Sequence, residues 1–173
     1  MKVLIVVDMQ NDFIDGALGT KEAVDIVPKV VKKIKEFDGL VLATRDTHYE
    51  NYLSTQEGQK LPVPHCIKDT KGWQIRPEIA ELITEPPIDK PTFGSVSLGE
   101  YLFDLSKSKP LESVTLIGLC TDICVISNAM LVKANLPEIP VVVDAACCAG
   151  VSPESHKQAL LAMKVCQIEI ENE

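Results

Sequence analysis

The sequence predicts an α/β domain built on a six-stranded, mostly parallel sheet, and two patterns carry that reading. Apolar runs of strand length alternate with segments of helical period. The runs at 3–7 (VLIVV), 39–44 (GLVLAT), 114–119 (VTLIGL) and 140–144 (PVVVD) are nearly continuous and mostly β-branched, as strands covered on both faces must be. A short piece from Pro87 to Asp89 and the tail from Val165 to Ile170 bring the strands to six. Between them, Val27, Val30, Val31 and Ile34 mark one face of a helix over 23–37. A second helix starts at Thr121 or Asp122, with Ile123, Ile126, Met130, Leu131 and Ala134 facing inward. Ser152-Pro153-Glu154 reads as an N-cap followed by proline at the first helical position, opening a last helix that reaches Met163.

No repeat, low-complexity tract or linker divides the chain, so residues 1–173 read as a single domain. The formal charge is −8, from 25 acidic and 17 basic residues, and no basic run could track a phosphate backbone. Nucleic acid is therefore not an expected partner. The apolar run after Lys2 stops at Asp8, too short for a signal segment or a membrane span, so no membrane association and a cytoplasmic location are expected. The six cysteines contain no C-x-x-C pair and should be thiols in a reducing compartment. One stretch, from Asp46 to Trp73, is polar, rich in Pro and Gly, and follows neither period. Connections this long tend to be functional.

Open parallel sheets bind ligands outside the carboxyl ends of their strands. Asp8 follows the first predicted strand, Asp46 and His48 the second, Lys90 the short third and Gly118 to Cys124 the fourth. Cys124 falls in the first turn of the predicted helix, where free N–H groups and the positive end of the helix dipole favour a thiolate. An unperturbed thiol, of pKa ~8.5, is only slightly ionised at neutral pH. A carboxylate such as Asp8 to take the proton and a cation such as Lys90 to steady the anion would complete a Cys/Asp/Lys triad with no histidine in it. Taken singly, Asp8 also suits a turn cap, Lys90 a solvated strand end and Asp122 a helix cap.

The opening VLIVVDMQNDF, the segment RDTH, the lysine that begins KPTFGS and the segment GLCTDICV occur in that order over most of the chain. Together they resemble the nicotinamidase and isochorismatase-like cysteine hydrolases. The resemblance implies a three-layer α/β/α fold and hydrolysis of a small amide substrate, nicotinamide first among candidates, through a thioester. It implies Asp8 as general base, Lys90 as the cation of the triad and Cys124 as nucleophile. It further implies a cis peptide between Leu119 and Cys120, with the backbone N–H groups of Cys120 and Cys124 as oxyanion hole, and a homo-oligomer of two or more subunits.

Nicotinamidases of this family carry a metal on the long loop, held by an Asp-x-His pair and further His or Glu ligands, whereas isochorismatases lack it. The matching residues are Asp46, His48, Glu57 and His65, an O/N donor set suited to a divalent transition metal, Zn²⁺ foremost, with Fe²⁺ or Mn²⁺ as alternatives. Where many nicotinamidases place a third histidine this chain has none, and Glu57 fills that place. Cys66 is left out of the ligand set, and His156 is read as structural. Phe13 and Ile123 are the expected substrate-pocket walls. Three other readings stay open: a metal-free hydrolase of a carbamoyl or ureido amide, a vinyl-ether-cleaving isochorismatase, and a non-enzymatic metal- or ligand-binding module on the same scaffold.

Overall fold

The computed structural model describes all residues from Met1 to Glu173. Its elements run β1 (Lys2–Val7), α1 (Asn11–Ile14), α2 (Lys21–Glu36), β2 (Leu40–Asp46), a 3₁₀ turn (Tyr52–Ser54), α3 (Gln56–Lys60), α4 (Pro77–Ala80), β3 (Ile88–Lys90) and α5 (Val96–Ser108). There follow β4 (Ser113–Leu119), a π-helical turn (Thr121–Val125), α6 (Ile126–Asn135), β5 (Val141–Ala149), α7 (Pro153–Val165) and β6 (Glu169–Glu171). The six strands form one sheet in the order β3-β2-β1-β4-β5-β6, and every pairing is parallel.

The apolar composition of β1 places it at the centre. Its side chains alternate between two cores, Val3, Ile5 and Val7 toward one and Leu4 and Val6 toward the other. The first core is closed by Leu98 and Leu102 of α5, Val125, Ala129 and Val132 of the π turn and α6, and Leu160 and Met163 of α7. The second is closed by Ala23, Ile26, Val30 and Ile34, one stripe of α2, with Ile14 and Ile79 beside it. This is the three-layer α/β/α arrangement. Strand order reverses between β1 and β4, which pair with Val7 opposite Gly118, so the switch point of the sheet opens beside Asp8 and Cys120. No helix is long and apolar enough to cross a membrane.

Beyond shifts of a residue or two, four features differ from the sequence reading. The capped helix α5, with Ser95 accepting from the Leu98 N–H at 3.1 Å, was not anticipated, because its buried stripe is only Leu98, Gly99 and Leu102. Strand β5 continues past Asp144 to Ala149 and so takes in Cys147 and Cys148, with a shift of register against β4. Helix α7 runs to Val165, which shortens the last strand to Glu169–Glu171. In α6 the buried residues are Asn128, Ala129 and Val132; Ile123, Ile126, Met130 and Leu131 are half-buried and Ala134 is exposed. The cause lies at the helix start. The Cys120 carbonyl accepts from Val125, five residues on, and this wide turn re-phases a run that is apolar on most sides.

Gly118 has φ +116°, and a Cβ there would lie 2.2 Å from the Val7 carbonyl oxygen. Gly118→Ala should therefore lower stability by about 3 kcal/mol or more, read as a shift in the urea midpoint at unchanged slope.

Candidate active site

Asp8 leaves β1 with φ 47° and is fully buried. Its Oδ1 accepts a hydrogen bond from Thr44 Oγ1 at 2.7 Å, and its Oδ2 lies 2.6 Å from Lys90 Nζ. Lys90 ends β3, beyond β2, and it too has no exposure. Its ammonium lies 3.4 Å from Cys124 Sγ and 3.4 Å from Asp46 Oδ1, and donates to the Thr92 carbonyl at 3.1 Å. Cys124, on the π turn after β4, is 5% exposed. Three residues far apart in sequence thus meet at the carboxyl rim, as the sequence reading required.

Burial sets the proton affinities here. It raises the Asp8 carboxyl, against the pull of Lys90 and with help from Asp46. Burial also lifts the Cys124 thiol well above its ordinary value, and the Asp8 carboxylate adds to this while Lys90 opposes it. Burial works against the Lys90 ammonium, but Asp8, Cys124 and Asp46 together hold its proton more firmly than usual. Where the sequence reading expected the helix start to favour a thiolate, burial of Cys124 favours the thiol.

A second cluster adjoins the first. Asp46 closes β2, His48 follows it, Glu57 comes from α3 and His65 from the loop beyond. One donor atom from each residue lies within 4.8 Å of the others. His48 Nε2 is 2.8 Å from Asp46 Oδ2 and 3.4 Å from Glu57 Oε1; His65 Nε2 is 3.6 Å and 3.7 Å from the same two oxygens. Tetrahedral ligands ~2.1 Å from a Zn²⁺ ion stand about 3.4 Å apart, so the spacing suits a shared ion. Two further details fit. His65 Nδ1 is engaged at 2.8 Å by the Val63 carbonyl, which leaves Nε2 with a free lone pair toward the cluster. His48 Nε2 is buried and makes no hydrogen bond of acceptable geometry despite its carboxylate neighbours. Burial lowers the proton affinity of His48, but Asp46 and Glu57 overcome it and push the imidazole up to about 9. Cys66 stays outside the group, its N–H bound to Asp12 Oδ2 at 2.8 Å.

Both clusters open into one cleft of about 520 Å³. Phe13 and Ile123 line it, with Leu61 and Phe93 nearer solvent, and the Phe13 ring centroid lies 5.5 Å from that of His65. The Leu119–Cys120 peptide is cis. The Cys120 N–H has no hydrogen-bond partner, and the Cys120 carbonyl accepts from Ile123 and Val125 while passing over Cys124. The Cys120 thiol lines the cleft with its pKa pushed up to about 12 by burial, then by Asp122 and Asp8. His156 binds Thr121 Oγ1 through Nδ1 at 2.7 Å and does not line the cleft.

The sequence reading missed the residues that hold this geometry. Gln10 donates to the Asp46 and Trp73 carbonyls and accepts from the Asp46 N–H, all at 2.7–2.8 Å. Asn128 Nδ2 donates to the carbonyls of Cys124 at 2.8 Å and Phe93 at 3.2 Å, and its Oδ1 accepts from the Ser95 N–H at 2.9 Å. A polar side chain inside the apolar run of α6 was the one available signal for Asn128; Gln10 lay within the quoted opening segment.

A thiol, a carboxylate and an ammonium gathered under a cleft on an all-parallel α/β/α sheet place the protein among the small-molecule hydrolases. Within that class the chain belongs to the isochorismatase family, whose domain model matches residues 2–171. It is 26% identical to a nicotinamidase/pyrazinamidase of Mycobacterium tuberculosis over 98% of each chain, and 32% identical to an uncharacterised isochorismatase family protein of Bacillus subtilis over 92% of each. Among solved structures it is similar to a pyrazinamidase of Pyrococcus horikoshii in complex with zinc, at 28% identity and TM-score 0.77 over 99% of both chains. It is also similar to PnC1 of L. infantum in complex with nicotinate, at 25% identity and TM-score 0.81 over 98% of this chain and 91% of that one.

Asn128 ties the nucleophile turn to the segment after Lys90 through three partners, two of them buried. Asn128→Ala should leave those backbone groups unpaired and cost about 2–4 kcal/mol, measurable as a lowered urea midpoint.

Proposed function

We propose that the chain is an amidohydrolase that converts nicotinamide to nicotinate and ammonia through a thioester on Cys124. The observation that carries this reading is that the thiol cluster and the four-donor cluster share one cleft and are joined through Lys90, whose ammonium touches both Asp8 and Asp46. The relatives named as nicotinamidases and the neighbours named with zinc and with nicotinate support it.

Asp46, His48, Glu57 and His65 would hold a divalent transition metal, which when bound supplies a Lewis-acidic partner for a pyridine nitrogen and so fixes the ring. Phe13 and Ile123 would pack on the ring. Cys124 gives its proton to Asp8 as the sulfur attacks the carboxamide carbon and the carbonyl π pair moves to oxygen. The N–H groups of Cys120 and Cys124 face that oxyanion. As the tetrahedral adduct collapses, the C–N bond breaks, Asp8 returns its proton to the departing nitrogen, and ammonia leaves. Water then adds to the thioester and gives a proton to Asp8; the C–S bond breaks and the sulfur takes that proton back. Lys90 stays protonated throughout, holding Asp8 and the sulfur together as the proton passes between them.

Cys124→Ala and Asp8→Asn should each reduce kcat/KM on nicotinamide by about 10³-fold or more, whereas Cys66→Ala, Cys147→Ala and Cys166→Ala should retain most activity. Activity of Cys124→Ala within tenfold of the unaltered protein would reject the nucleophile assignment.

Elemental analysis should find about one transition metal per chain, lost in His48→Ala, and chelation should remove nicotinamide turnover. Benzamide has the carboxamide without the ring nitrogen and should be cleaved at least about tenfold more slowly than nicotinamide. Equal rates on the two, or full activity in chelator, would reject the metal's role. Turnover confined to a ureido acid or isochorismate would keep the family and discard the substrate.

A further inference from the structure

As general base, Asp8 has two oxygens on which to carry the proton. Both are buried. Oδ2 is the oxygen 2.6 Å from Lys90 Nζ, and that same ammonium lies 3.4 Å from Cys124 Sγ, so one cation bridges Oδ2 and the sulfur. Lys90 meets Oδ2 as a close ion pair, and Thr44 donates the hydrogen bond that Oδ1 receives. Thr44 sits on the neighbouring strand β2 with no exposure, its hydroxyl donates to Asp8 Oδ1 at 2.7 Å, and its carbonyl accepts the Asp8 N–H at 3.3 Å. Two contacts from one residue therefore hold a base whose backbone is in the left-handed region.

We infer that Thr44 is the positioning residue that reserves Oδ1, so that the proton taken from Cys124 is carried on Oδ2 of Asp8. The inference rests on the reading of Asp8 as base. If Oδ1 took the proton, it would become a much poorer acceptor for the Thr44 hydroxyl, which makes no other side-chain hydrogen bond in this buried place. A buried donor without a partner is strongly disfavoured. With Oδ1 held by Thr44 in both protonation states, the carboxyl plane is fixed, and the proton stays on the side from which it is returned to the leaving nitrogen. Thr44 does not line the cleft and its hydroxyl bonds only Asp8, so it acts through Asp8.

The test compares Thr44→Val, which keeps the branched shape of a strand residue but not the hydroxyl, with Thr44→Ser, which keeps the hydroxyl. Metal-loaded proteins are assayed for kcat and KM on nicotinamide. In parallel, the rate of Cys124 alkylation by iodoacetamide without substrate is followed by peptide mapping. Thr44→Val should lower kcat by about ten- to hundredfold with KM within about twofold, and slow Cys124 alkylation by a comparable factor. Thr44→Ser should stay within about threefold of the unaltered protein in both. Should Thr44→Val fail to fold, as read from its urea midpoint, Thr44→Ala against Thr44→Ser makes the same comparison. Val or Ala within twofold of the unaltered protein in kcat and alkylation, or Ser as impaired as Val, would overturn the assignment. Should the unaltered protein cleave no amide, the substrate reading fails, yet the alkylation rates still decide the role of Thr44.

Discussion

The Lys90 ammonium is a full charge with no exposure to water, and a buried charge persists only with partners. Its partners are Asp8 at 2.6 Å, Asp46 at 3.4 Å, the Thr92 carbonyl at 3.1 Å and the Cys124 sulfur at 3.4 Å. Each belongs to a different element or connection, so satisfying one cation draws together the ends of β1, β2 and β3 and the turn after β4. The loop after β3 is drawn in too, because Thr92 lies within it and Asn128 fastens Phe93 and Ser95 to the helix that carries Cys124. Removing the positive charge would leave Asp8 and Asp46 facing one another in a desolvated space.

The same account explains the charge of the adjoining cluster. The two clusters gather three carboxyl groups, Asp8, Asp46 and Glu57, against one lysine ammonium, Lys90. Without metal, the imidazole of His48 is held protonated by Asp46 and Glu57, with a pKa pushed up to about 9. A divalent cation among Asp46, His48, Glu57 and His65 would displace that proton and take over its place in the balance, so metal loading and proton release are linked. Because Asp46 faces Lys90 through Oδ1 and both histidines through Oδ2, it connects the electrostatics of the two clusters.

What was legible in the sequence follows from what local pattern encodes. Continuous β-branched runs identified the central strands, and the rule that parallel sheets bind at their carboxyl ends identified Asp8, Asp46, His48, Lys90 and Cys124 as the residues at the rim. Resemblance added Glu57 and His65, which no periodicity could place. Thr44, Gln10 and Asn128 were illegible because their value lies in strand register and in contacts 33 to 63 residues away in sequence. Helix α5 escaped notice because its buried stripe is short, and the face of α6 was misassigned because a π turn at its start shifts the phase of an apolar run. The raised proton affinity of Cys124 was illegible for a related reason: position at a helix start can be read from sequence, whereas burial by the surrounding elements cannot.

The central claim is that Cys124 bonds to the substrate's carbonyl carbon. Acid-quenching the metal-loaded protein during turnover of nicotinamide, followed by peptide mass analysis, tests it directly. A nicotinoyl mass increment should sit on the peptide containing Cys124 while substrate remains and disappear when it is exhausted. Steady release of ammonia with the Cys124 peptide unmodified at every quench time, or with the increment on another cysteine, would contradict the account.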